Sequence, residues 1–196
     1  MKRICQKVCS LLLEQNVKKD ERDLYEYAVM LLLNFIFNII VSLFLAFMFN
    51  KVFECIMMLT SFLILRKLTG GLHMKRKFTC QIYSVLLIVI FLVYITYFPN
   101  LFNSHTIVFI EVFSIIIIFM LSPLENENKF LSDKEQKAYK IVSSFVSLLM
   151  TLSIFVFKSN YSIIKSVFFG LFLDTVLLVI GTINNFLKNH ISPKDY

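Results

Sequence analysis

Ala28-Val-Met-Leu-Leu-Leu-Asn-Phe-Ile-Phe-Asn-Ile-Ile-Val-Ser-Leu-Phe-Leu-Ala-Phe-Met-Phe49 carries no charged residue over its whole length. A helix across a bilayer core needs about 20 apolar residues, with about 17–25 as the working range, so this stretch reads as a membrane span. Five more apolar runs follow at residues 52–65, 82–98, 107–121, 141–157 and 163–183. The run at 52–65 is short, and reads as a tilted crossing or a re-entrant arm. Pro99-Asn100 is expected to turn the chain, and Ser122-Pro123 to stop the run that ends at 121. Composition agrees: 58% of the 196 residues are hydrophobic and 17% charged, with a mean hydropathy of +0.75. Soluble domains are about 45–50% apolar and about 25% charged. The expected fold is all-α, one polytopic membrane domain of about six transmembrane helices over residues 1–196.

Lysine and arginine in short loops set orientation. With the N-terminus inside, the inner segments 1–24, 66–80, 122–140 and 184–196 hold 6, 5, 4 and 2 basic residues. The outer segments 50–53, 99–106 and 158–165 hold 1, 0 and 2. The alternation is unbroken, so both termini are expected in the cytosol and 52–65 is counted as a crossing. Ile4, Val8, Leu11 and Leu12 share one helical face, with Lys2, Arg3 and Lys7 elsewhere. That pattern predicts an interfacial helix on an anionic leaflet. Residues 1–23 mix six basic with four acidic residues and lack a continuous apolar run, unlike a cleavable signal peptide,. Ser132 and Glu135 have capping-box spacing, which predicts a helix start near Asp133. Net charge is +7, but there is no long basic tail, which argues against nucleic-acid binding,. Cys5, Cys9, Cys55 and Cys80 form no CxxC and none lies in an expected outer loop, so they read as reduced thiols.

Chemistry concentrates in one inner segment, Arg66-Lys67-Leu68-Thr69-Gly70-Gly71-Leu72-His73-Met74-Lys75-Arg76-Lys77-Phe78-Thr79-Cys80. It holds two adjacent glycines of the chain's four, a histidine and a cysteine. A thiol becomes a nucleophile with a base at hand, and histidine titrates near neutrality. A glycine pair allows backbone conformations closed to other residues, and close approach of a substrate chain. On a straight helix His73 and Cys80 would share a face yet stand about 10.5 Å apart, so joint action requires the segment to turn. Cys80 would then lie near the start of the third helix, where the helix dipole and Lys75, Arg76 and Lys77 favour thiolate.

A GGxH on the inner side followed by Cys seven positions later, in a polytopic chain of about this length, resembles the accessory gene regulator B (AgrB) family of membrane endopeptidases. A second match is Pro123-Leu-Glu-Asn-Glu-Asn128-Lys129-Phe130, where the family carries Pro and then Asn-Lys-Pro; Phe130 departs from it. The resemblance implies that Cys80 is the nucleophile and His73 its general base, with Arg66, Gly70, Gly71 and Lys129 in support. It implies a substrate, the AgrD precursor of a quorum-sensing peptide, cut behind its signal segment. The signal would be held as an acyl-thioester on Cys80 and released as a thiolactone or lactone ring. It further implies a homodimer, no cofactor, and the cell membrane of a Gram-positive bacterium. AgrD-like tails are acidic, which Lys75, Arg76, Lys77 and Lys129 would attract.

Other intramembrane polar groups compete for a role. Asp174 falls mid-way along the sixth run, where a lone charge is costly. It reads either as a carboxyl packed against Asn34, Asn38 or another helix, or as the coupling carboxylate of a small non-enzymatic transporter. Glu111 and Glu54 are expected near outer helix ends, with no partner that the sequence names. His105 and His190 fall at opposite ends, so no metal site is expected.

Overall fold

The computed structural model describes residues 19–70, 77–124, 132–156 and 160–191. Six helices run through them: α1 Lys19–Met48, α2 Val52–Thr69, α3 Lys77–Tyr97, α4 Ser104–Leu121, α5 Asp133–Val156 and α6 Tyr161–Ile191. The interfacial helix expected near the N-terminus lies outside the described residues. Among the described residues the only extended pairing is one isolated parallel bridge, Gly70 with Leu124.

Local chemistry sets the helix ends. The amide of Lys51 donates to Ala46 O at 2.9 Å and that of Asn50 to Phe47 O at 3.0 Å, with Asn50 at φ 54. These are the two bonds of a Schellman motif, and asparagine tolerates its left-handed residue. The stop is so tight that only three residues separate α1 from α2. Pro99-Asn100 turns the chain as expected, and α4 ends at Leu121, just before Ser122-Pro123. The start of α5 bears out the capping box: Ser132 N donates to Glu135 Oε2 at 2.9 Å, and Glu135 N to Ser132 Oγ at 3.4 Å.

Packing is inverted relative to a soluble protein. Phe109 and Phe47 are each 74% exposed, whereas Ser42, Ser61, Thr69, Ser114, Ser143, Ser147, Ser166 and Thr175 are buried. Large apolar side chains outside and small hydroxyls between helices are what lipid selects, because hydrocarbon gives apolar groups no reason to hide. Three helices are long and apolar enough to cross a membrane: Ala28–Met48, Ser104–Leu121 and Tyr161–Leu187. In α2 Glu54, Arg66 and Lys67 add charge, the described apolar part of α3 is shorter at Gln81–Tyr97, and α5 opens on a polar turn.

Helix α6 is the hub, packed against α2 and α4 most extensively. Gly170 makes the α2–α6 approach possible. A Cβ there would sit 2.8 Å from Met58 O and 3.1 Å from Phe62 N, and would run into Ser61 Oγ. Ala46, Cys55, Met58, Phe91, Leu92 and Tyr94 form a core among α1, α2 and α3. Phe169 of α6 closes it, its ring 5.2 Å from Phe91. At one end of the bundle the connections are tied together. Glu54 accepts from Lys51 at 3.3 Å and from Ser162 at 2.9 Å, Lys165 donates to Pro99 O, and Ser104 meets Tyr161 at 2.8 Å. Glu54 therefore does have partners, on its own turn and on α6. If backbone contact at Gly170 organises the bundle, Gly170→Ala lowers the thermal midpoint of the detergent-purified protein and Gly170→Val lowers it further. The overpacking cost is about 1–3 kcal/mol, and an unchanged midpoint for both variants would refute the role given to this glycine.

Candidate functional site

Opposite the tied turns, α2 reaches its last turn against the middle of α6. Asp174 is fully buried there. The Thr69 hydroxyl donates to its Oδ2 at 3.0 Å and lies 3.3 Å from Oδ1, and Arg66 Nη1 stands 3.9 Å from Oδ1. Neither Asn34 nor Asn38 is its partner; Asn34 instead accepts from Gln81 of α3 at 3.0 Å. Nothing local in sequence announces the Thr69–Asp174 pair, which spans 105 positions.

Immediately beyond Thr69 the backbone turns at Gly70, with φ 74. Leu124 N donates to Thr69 O at 2.9 Å, and a Cβ on Gly70 would lie 2.6 Å from Leu124 O. Both the left-handed φ and the close backbone therefore require glycine. Just before Leu124, Ser122 Oγ meets Ser143 Oγ of α5 at 3.0 Å. The end of α2, the end of α4 and the flanks of α5 and α6 thus converge on one junction.

That junction is where the segments bearing the expected site residues begin. Residues 71–76, with Gly71, His73, Lys75 and Arg76, and residues 125–131, with Lys129, lie outside the described residues. The chain enters the first from Gly70 and the second from Leu124, the two residues of the bridge. Lys77 and Cys80 belong to the first turn of α3, and their side chains lie outside the description. Arg66 and Gly70 are the two expected site residues whose contacts are seen. One holds α6, and the other holds the residue after Pro123.

The junction is also recessed. Asn34 stands sixteen residues before the Asn50 turn and Thr69 seventeen after Val52, so both mark about one level. Beyond it α6 continues for seventeen residues past Asp174, about 25 Å at about 1.5 Å per residue. Helix α5 starts ten residues before Ser143, about 15 Å beyond. Helices α1, α5 and α6 therefore overrun the ends of α2 and α4.

The family described as AgrB, Accessory gene regulator B, matches residues 2–178. The chain belongs to the AgrB family. An AgrB-like protein of Clostridium perfringens (strain SM101 / Type A) is 26% identical over 184 residues, 88% of this chain and 84% of its own. A second, from Clostridium perfringens (strain 13 / Type A), is 27% identical over 178 residues, covering 85% and 81%. One from Clostridium beijerinckii is 31% identical over 143 residues, covering 71% and 68%. No solved structure matches the chain. The family is linked to peptide processing in agr quorum sensing, and with its apolar helices this AgrB chain is a membrane protein.

For an AgrB chain the junction has a testable cost. Asp174→Ala leaves Arg66 facing buried surface without its carboxylate. The loss is about 2–3 kcal/mol, below the value for a fully buried pair because the Arg66 side chain is 21% exposed,. Asp174→Asn keeps an acceptor for Thr69 and costs less. Thermal midpoints in detergent should therefore fall in the order wild type, Asn, Ala; equal midpoints would remove Asp174 from the junction.

Proposed function

We propose that the chain is a membrane cysteine endopeptidase acting on an AgrD-like precursor peptide, with Cys80 as nucleophile and His73 as general base. The observation that supports it best is the Gly70–Leu124 bridge. It gives the segment carrying His73 and the segment carrying Lys129 a common root, while Cys80 follows in the first turn of α3. Family membership supplies the substrate class.

The chemistry proceeds in two acyl transfers. The Cys80 thiolate attacks the carbonyl carbon that joins the signal segment to the C-terminal tail. The C–N bond breaks, His73 delivers its proton to the leaving amine, and the signal stays on Cys80 as a thioester. An internal thiol or hydroxyl of the signal then attacks the same carbonyl and gives its proton to His73, Cys80 leaves as thiolate, and a thiolactone or lactone ring closes. A thioester retains enough acyl-transfer potential for this second step without further activation. Lys75, Arg76, Lys77 and Lys129 draw in the acidic tail, and no cofactor takes part. Arg66, held against Asp174, acts by fixing the last turn of α2, from which the Gly70-Gly71 turn departs.

The proposed setting is the cell membrane of a Gram-positive bacterium, with six crossings, both termini cytosolic, and two copies per assembly on the family resemblance. The sorting of described helix ends into a tied set of turns and an opposite junction supports the six alternating crossings. The rival reading, a transporter coupled through Asp174, is disfavoured because Thr69 and Arg66 already engage that carboxylate.

Co-expression with the precursor tests the chemistry. Cys80→Ala and His73→Ala each lower cleavage by about a thousandfold or more. His73→Ala leaves Cys80 open to alkylation but moves its reaction to higher pH, since the imidazolium no longer favours the anion. Cleavage retained by Cys80→Ala would end the proposal. Topology is tested separately with an impermeant thiol reagent on intact cells: Asn100→Cys reacts, and Lys134→Cys reacts only after permeabilisation. The reverse pattern would invert the orientation and remove the cytosolic substrate.

A further inference from the structure

Three charged side chains are buried among the described residues: Lys165, Asp174 and Glu111. Lys165 donates to Pro99 O and lies over the Tyr161 ring, and Asp174 has Thr69 and Arg66. Glu111 is different. The sequence suggests an outer-end residue near water, yet it is fully buried, on the face of α4 that also buries Ile107, Ser114 and Ile118. Neither of its carboxyl oxygens has a hydrogen-bond partner among the described residues.

Helix α5, which packs against α4, carries a row of buried hydroxyls one turn apart, Ser143, Ser147 and Thr151. Thr151 lies beside the carboxyl. Each of these hydroxyls donates its hydrogen to its own helix: Ser143 to Lys140 O at 3.1 Å, Ser147 to Ser144 O at 2.9 Å and Thr151 to Ser147 O at 3.1 Å. A hydroxyl oxygen keeps lone pairs for a further partner, and of the three it is the Thr151 oxygen that stands beside Glu111,. Two of the cations on the helices packed against α4 are engaged elsewhere, Lys165 as above and Lys140 over the Phe119 ring. The seam thus sets a buried carboxyl beside a hydroxyl oxygen, in a span where an uncompensated negative charge is costly,. Hard oxygen donors of this kind suit a hard cation.

We propose that the α4–α5 seam binds a hard monovalent cation, a sodium ion or a proton, with the Glu111 carboxylate as the charged ligand and the Thr151 hydroxyl oxygen as a neutral one. Ser143, paired with Ser122, carries the row to the junction that holds Leu124. The site does not depend on the peptidase reading.

The test uses full-length protein in detergent and dicyclohexylcarbodiimide, which modifies carboxylic acids in apolar surroundings. The adduct is located by mass mapping of the peptide that carries Glu111, and Glu111→Gln serves as the blank. An adduct forms on Glu111, and sodium chloride slows its formation about fivefold or more once sodium exceeds its dissociation constant several-fold, while equal potassium chloride does not. If the two salts act alike and the adduct instead falls as pH rises from about 6 to about 9, the proton is the occupant. No adduct on Glu111 at any pH, or an adduct indifferent to both sodium and pH, overturns the proposal. Because mapping is done on the wild-type chain, the outcome does not depend on whether Glu111→Gln folds.

Discussion

One buried carboxylate holds the junction end of this bundle together. In hydrocarbon, burying apolar surface between helices yields almost nothing, since lipid tails solvate it as well as protein does. Helix association then rests on close backbone packing and on polar pairs that have no water to fall back on. Helices α2 and α6 use both: Gly170 admits α2 to backbone contact, and further along Asp174 takes Thr69 and Arg66. Because Thr69 is the last residue of α2, the pair fixes where the helix stops. Gly70, Leu124 and the Ser122–Ser143 contact are then positioned relative to α6 rather than floating at a loop.

How much of this could be read in advance depends on the range of the interaction. The Ser132–Glu135 box, the Pro99-Asn100 turn and the stop at Ser122 are local, and each is visible in a few residues of sequence. Helix length is less legible, because hydropathy marks the lipid-facing part of a helix and not its hydrogen bonds. Thus α1 begins at Lys19 although its uncharged run starts at Ala28, and α6 continues to Ile191 past the run ending at 183. Long-range pairs leave no such trace. Asp174 stands out as costly, but that Thr69 and not Asn34 would satisfy it could not be foreseen, since both are polar residues facing a bundle interior. The glycine pair is conspicuous in sequence, and Gly70 has the reason it suggests, a left-handed turn against another backbone.

Asp174 and Glu111 show that burial alone does not define a role. Sequence assigns them a similar liability, an acid inside an apolar run. One is saturated by a hydroxyl and a guanidinium from a neighbouring helix, and such a group resists change because any rearrangement must first unpair it. The other has no cation beside it and no hydrogen-bond partner for either oxygen among the described residues. The first arrangement suits a rivet, and the second suits an exchangeable occupant. The difference lies in which groups stand opposite each acid, which only a three-dimensional arrangement can supply.

Recession of the junction constrains any reaction run from it. The ends of α2 and α4 lie below the ends of α1, α5 and α6, so under the proposed peptidase reading the substrate enters between longer helices. An extended chain spans about 3.3–3.6 Å per residue, and would cover such a depth in several residues. A bond chosen for cleavage in this way is chosen partly by its distance from whatever part of the substrate stays at the membrane surface. On that reading specificity need not rest on side-chain pockets alone; the depth of the junction, set by the single turn of α2 that Asp174 holds, would act as a ruler.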